Sequence, residues 1–296
     1  APSRHPARPL PALLLLLICI LLPNELRSQG FACSGFDLSH LPPGARAKIA
    51  GATEKRTTGS VHALVVFSRF RDERSAKLPQ FASQLFDPNR KGSLTHFYRT
   101  MSSRELELTG TVLPKRYVSD NAAANYVSAS GTGFYSRFVA EILRQVDDDV
   151  DLGSFDNDGP DGTPNSGDDD GYVDHLFLNL LSTPHGFLRG GATGIANLGA
   201  ELYFSNDAAA NGGTIIVSNS VSFGSIQQEG TFAQTVGSMA HEFGHRLGLP
   251  DLYDLRYGSP AEDSAGIGRW GLMGWGAHGW NGDDGPNELS AWSLER

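Results

Sequence analysis

Between residues 231 and 248 the apolar side chains Phe232, Val236, Met239, Ala240, Phe243 and Leu247 recur three or four positions apart. That period marks one face of an α-helix, so the stretch predicts an amphipathic helix with a core-facing stripe. His241 and His245, four residues apart, share the face opposite the stripe, and Glu242 lies one position round from them. Gly248 suits the left-handed residue that ends a helix, and Pro250 prevents the helix from resuming.

Elsewhere the pattern is mixed. VHALVVF (61–67) is short, β-branched and bounded by Gly59, which predicts a buried strand. LELTGTVL (106–113) alternates like a strand, and DHLFLNLL (174–181) and TIIVSN (214–219) are further strand candidates. Ser93 can cap a helix through LTHFYRTMSS, and FYSRFVAEILRQV (134–146) carries Phe134, Phe138, Ile142 and Val146 at helical spacing. Residues 31–59, with Pro42, Pro43 and Gly44, predict a linker or the remnant of a pro-segment. No internal repeat interrupts 60–296, so strands and helices mixed along one segment predict a single α/β (α+β) domain.

The first thirty residues change the picture of where the chain works. Arg4 and Arg8 precede an unbroken apolar run, Ala12 to Leu22, and small residues follow at Ser28 and Gly30. This is the layout of a secretory signal peptide, cut after Gly30. Eleven apolar residues are fewer than the roughly 20 a membrane span needs, so no stable membrane association is expected after cleavage. Removing this segment takes away three Arg and one Glu and moves the net charge from −9 to −11. An acidic, exported chain lacks the basic footprint of a nucleic-acid binder. Cys19 leaves with the leader, and Cys33 alone makes no internal disulfide. The chain opens on Ala1 and closes on LSAWSLER, so it is read as a fragment that continues past Arg296.

The chemistry concentrates in HEFGHRLGLPD, 241–251. Two neutral imidazoles on one helical face, and an aspartate returned by the Gly248–Pro250 turn, make three ligands for a tetrahedral Zn²⁺ with one position open. Such a metal acidifies its water, and Glu242 is the candidate general base for it. Gly237 and Gly244 weaken the helix by about 1 kcal/mol each relative to Ala, which suggests that a metal or substrate comes close there. A rival third ligand is Glu262, 17 residues beyond His245, because thermolysin-like sites use a Glu about 20 residues on.

A second cluster lies in FDNDGPDGTPNSGDDDGYVD, 155–174. Hard oxygen ligands between glycines describe a Ca²⁺ site, although the EF-hand's final Glu is absent. Asp156, Asp158, Asp168, Asp170 and Asp174 alternate best and are the expected ligands, in a structural role.

HEFGHRLGLPDLYD, with Met273 following in GRWGLMGWG, resembles the M6 or immune-inhibitor-A metallopeptidases, secreted relatives of the metzincins. The resemblance runs through HALVVFSRF, GSLTHFYRTMSSRELELTG, DDDGYVDHLFLNLL and LSAWS, roughly residues 60–296. It implies zinc on His241, His245 and Asp251, Glu242 as general base, and Met273 as the turn methionine beneath the metal. The implied fold is metzincin-like: a twisted mixed sheet, an active-site helix and an irregular lower part. Some metzincins carry a tyrosine two residues after that methionine; here the position is Trp275, which offers no oxygen, and Tyr253 and His278 are the candidates to stabilise the transition state. Cys33 or Asp37 could hold the enzyme latent from a pro-segment. The expected activity is a monomeric, secreted zinc endopeptidase acting on proteins or peptides. Its alternatives are a catalytically inactive, calcium-dependent binding or adhesion module on a protease fold, and a zinc hydrolase with non-peptide substrates.

Overall fold

The structure is a computed structural model that describes residues 57–295, apart from 129–132, 189–191, 200, 220–222 and 255–263. The expected signal peptide, Cys33, Asp37 and Glu262 lie outside the described residues.

Strand β1 (Gly59–Arg69) is flanked by β2 (Leu106–Val118) and β3 (Leu176–Leu180), both parallel to it. Beyond β3 comes parallel β7 (Gly224–Gln228), then antiparallel β4 (Gly194–Ile195), giving the order β2-β1-β3-β7-β4. The continuous apolar run of β1 follows from this central place, because both of its faces are covered. Ala63, Val65 and Phe67 enter one core, and Leu64 and Val66 enter the other.

Helices α1 (Leu94–Met101) and α3 (Phe232–Arg246) cover one face, where Leu94, Tyr98, Val236, Met239 and Phe243 pack with Phe177. Helix α2 (Tyr135–Asp147) contributes Phe138, Ile142 and Val146 to the other core. The Tyr98 hydroxyl donates to the Ala240 carbonyl at 2.6 Å, tying α1 to α3. Ser93 caps α1 as expected, accepting from the His96 amide. Phe134, expected in the buried stripe of α2, stands at its N-cap and is exposed.

Two departures, in β2 and β7, have physical reasons. β2 runs five residues past its expected end at Leu113: Pro114 lacks an N–H, and a register shift between Val65 and Phe67 absorbs it, after which pairing resumes at Arg116. TIIVSN gives β6 (Thr214–Val217), which pairs with β5 (Tyr203–Ala208) in a separate two-stranded sheet. β7 (GSIQQ) escaped the sequence reading because it buries polar side chains: Gln227 donates to Asn179 at 2.9 Å and accepts from Ser225 at 2.8 Å.

Candidate metal centre

Helix α3 carries the centre, and its ends are fixed locally. Thr231 and Gln234 form a reciprocal capping box at the start. At the other end Gly248 takes φ +85°, its amide donates to the His245 carbonyl, and the Leu249 amide donates to the Gly244 carbonyl. This is the Schellman pattern expected of a glycine after a helix. The interior glycines have a different purpose from the one expected. A Cβ at Gly237 would lie 1.8 Å from the Ala277 carbonyl oxygen, and one at Gly244 would lie 2.5 Å from the Met273 Sδ. They admit the chain's own lower segment, with Met273 buried beneath the helix.

That segment also closes over the histidine face, so His241 and Glu242 are fully buried. His241 Nδ1 lies 2.8 Å from the Leu272 carbonyl, and His245 Nδ1 lies 2.8 Å from the Leu249 carbonyl. A carbonyl only accepts, so each Nδ1 carries a proton and each ring turns its Nε2 toward Asp251. Both Nε2 atoms face one oxygen: Asp251 Oδ1 is 3.0 Å from that of His241 and 3.6 Å from that of His245. The three ligand atoms fall within 4.8 Å of one another.

Two imidazole nitrogens and a carboxylate oxygen this close together suit a bound cation. A tetrahedral zinc with bonds of about 2.0–2.1 Å has ligand–ligand edges of about 3.3 Å, midway between the two separations seen. The residues therefore fit such a metal. Burial opposes the charge on Asp251, but the two histidines and the Tyr253 hydroxyl outweigh it and hold its carboxyl below the usual range.

Glu242 Oε2 lies 4.0 Å from His245 Nε2. On its other side is Gly194 of β4, where a Cβ would fall 2.1 Å from Glu242 Oε1. Any side chain at 194 would push the carboxylate away, a constraint with no signal in the sequence. His278 Nε2 contacts Ser238 Oγ at 2.9 Å, one turn before Glu242. Burial, with His241 and Arg269 nearby, pushes the His278 imidazole down to about 4, so it is neutral at neutral pH.

The acidic stretch is folded differently from the expected alternation. Asp156, Asp158 and Asp169 bring ligand atoms together, and Asp170 and Asp174 add charge to the same place. Asp168 does not join them: it faces Ser166 and the Asp161 amide on the exposed side. Asp169, which the sequence reading passed over, is buried because the Ser166–Asp169 turn points it inward. Asp156 Oδ1 is buried without a hydrogen-bond partner among the described residues. Burial and neighbouring carboxylates push Asp156 and Asp174 up to about 7 and Asp170 up to about 6. Arg246, next to His245, donates to the Asp174 carbonyl and so ties the end of α3 to this loop.

The model of the family described as Immune inhibitor A peptidase M6, catalytic domain, matches residues 65–296. The chain belongs to that family. The M6 match spans every strand and helix described except residues 59–64 of β1. Relatives include the Pre-pro-metalloprotease PrtV of two strains of Vibrio cholerae serotype O1, each 28% identical over 224 residues. That alignment covers 69% of this chain but only 23% of the relative, so the chain spans about a quarter of the length of these relatives. Among solved structures, Archaemetzincin from Methanopyrus kandleri aligns over 82% of this chain and 95% of its own, at 12% identity and a TM-score of 0.33. Among the described residues no helix is long and apolar enough to cross a membrane.

Proposed function

We propose that this M6 metallopeptidase domain is a zinc-dependent endopeptidase whose ligands are His241, His245 and Asp251 and whose general base is Glu242. The observation that carries the reading is the convergence of two Nε2 atoms on one Asp251 oxygen, beside a buried glutamate. When bound, zinc would polarise the scissile carbonyl and acidify the attacking water. His241 and His245 hold their lone pairs toward the site through their backbone carbonyl partners, and Asp251 supplies the compensating charge. Glu242 accepts a proton from the water at a carboxylate oxygen and passes it to the departing amine nitrogen. The name of the PrtV relatives, a metalloprotease, supports protein or peptide substrates. The basic, apolar leader supports secretion after cleavage near Gly30, with residues 31–59 as linker or pro-segment.

The test is cleavage of an unfolded protein substrate. Hydrolysis should cease after a zinc chelator and return with added zinc. Protein that never cleaves peptides, with or without zinc, would instead favour the binding-module alternative, and cleavage of small esters alone would favour a non-peptide hydrolase.

The acidic loop supports a second, structural cation, with calcium the best match to hard carboxylate oxygens between glycines. Asp156, Asp158 and Asp169 form its centre in this reading, with Asp170 and Asp174 beside them, and the buried, unpartnered Asp156 Oδ1 is its main support. These carboxyls bind protons more tightly folded than unfolded. Cation-free protein should therefore lose stability as pH rises through about 6 to 7, and the bound ion should remove that loss. At a hundredfold excess over its dissociation constant, calcium should raise the Tm by about 5–10 °C. Asp156→Asn should abolish most of that rise in a thermal scan; an unchanged rise would remove Asp156 from the site.

A further inference from the structure

β4 ends the sheet, and Gly194 stands in it directly opposite Gln227 of β7. The φ of Gly194 lies outside the left-handed region, so no backbone requirement calls for glycine there. Glycine in a strand can instead mark a close approach. What approaches is the proposed general base. The three atoms nearest a Cβ at 194 all belong to Glu242: Oε1 at 2.1 Å, Cδ at 3.0 Å and Cγ at 3.4 Å. The two carboxylate oxygens therefore have different surroundings. Oε1 abuts β4, and Oε2 lies 4.0 Å from His245 Nε2.

The strand has little freedom to yield. The Thr193 carbonyl accepts from the Gln228 amide at 2.8 Å, which fixes β4 to β7 just before the glycine. The register places Asn179, Gln227 and Gly194 in one row across the sheet. Gln227 is fully buried and both ends of its amide are engaged, donating to Asn179 Oδ1 at 2.9 Å and accepting from Ser225 Oγ at 2.8 Å. On the other side, Gly237 and Gly244 seat α3 against Ala277 and Met273. The Glu242 carboxylate is thus held between a fixed strand and a fixed helix.

We propose that Gly194 is a positioning residue for Glu242: the bare backbone of β4 is the stop against which Oε1 rests, leaving Oε2 on the side of the metal ligands. The physical need is specific. Rotation of a carboxylate about its terminal bond is soft and broad. A general base works only within hydrogen-bond reach, about 2.6–3.2 Å, of the proton it takes. Alanine at 194 would have to move the carboxylate by about 1 Å, a misplacement that costs on the order of 10²-fold in rate.

The inference rests on the reading of Glu242 as general base, and its test separates the two. Wild type, Gly194→Ala, Glu242→Ala and the double variant are compared in three measurements. These are zinc affinity by competition with a chromophoric chelator, Tm of the purified protein, and kcat and KM on an unfolded protein substrate. Gly194→Ala should lower kcat by about 100-fold. Its zinc affinity and KM should stay within about threefold of wild type, because only the transition state needs the base in place. Gly194→Ala should also lower the Tm, whereas in the Glu242→Ala background, where the obstructing carboxylate is gone, it should leave the Tm unchanged. A glycine needed only by the strand would lower the Tm equally in both backgrounds. That equal fall, a kcat of Gly194→Ala within about threefold of wild type, or zinc lost together with kcat would overturn the inference alone. If Gly194→Ala does not fold, a folded double variant supports the stop and an unfolded one overturns it. Wild type that binds no zinc, or Glu242→Ala that keeps its kcat, would overturn the reading beneath and the inference with it.

Discussion

Asp251→Ala is expected to empty the proposed zinc site. Wild type purified without chelator should hold about one zinc by mass spectrometry, and the variant should hold almost none and lose hydrolysis with it. Asp251 Oδ1 is the atom that both Nε2 atoms face, at 3.0 and 3.6 Å. Without it two neutral imidazoles remain, with no charge to offset that of the ion in a buried place. The loss should exceed the 10–100-fold typical of an outer partner. Glu262→Ala is the control and should keep its zinc. The reverse pattern, zinc lost with Glu262→Ala and kept with Asp251→Ala, would transfer the third ligand to Glu262.

Glu242→Gln should separate metal binding from chemistry. The amide keeps the shape of the carboxylate against Gly194 but cannot take a proton. Zinc content and KM should stay close to wild type, while kcat falls by about 10²–10⁴-fold, the usual worth of a positioned general base. A kcat within tenfold of wild type would mean that another group activates the water. A large rise in KM at unchanged kcat would mean that Glu242 binds substrate.

What could be read from the sequence was local. His241, Glu242 and His245 lie within five residues on one helix, and Gly248 and Pro250 announce the turn that brings Asp251 back. Helical periodicity and turn chemistry act over such distances, so spacing grouped His241, His245 and Asp251, with Glu262 left as a rival third ligand. The core-facing stripe of α3 and the apolar run of β1 were legible for the same reason. The contacts that complete the site join distant parts of the chain, and nothing in the local pattern signals them. Gly194 must be small because of a glutamate 48 residues later. Gly237 and Gly244 answer to Ala277 and Met273, not to a ligand. In the acidic stretch, strict alternation assumed an extended chain, and the turn at Ser166–Asp169 exchanged Asp168 for Asp169. β7 hid because a strand with buried Ser225 and Gln227 matches neither an apolar run nor an alternating one.

The carbonyl that orients His241 comes from Leu272, 31 residues further along the chain. HEFGH therefore emerges during synthesis well before the group that sets its first imidazole. Until the lower segment closes on Gly237 and Gly244, that ring is free to turn and either nitrogen can face outward. In the proposed reading, the orientation of His241 thus depends on the lower segment being in place and not on the motif alone.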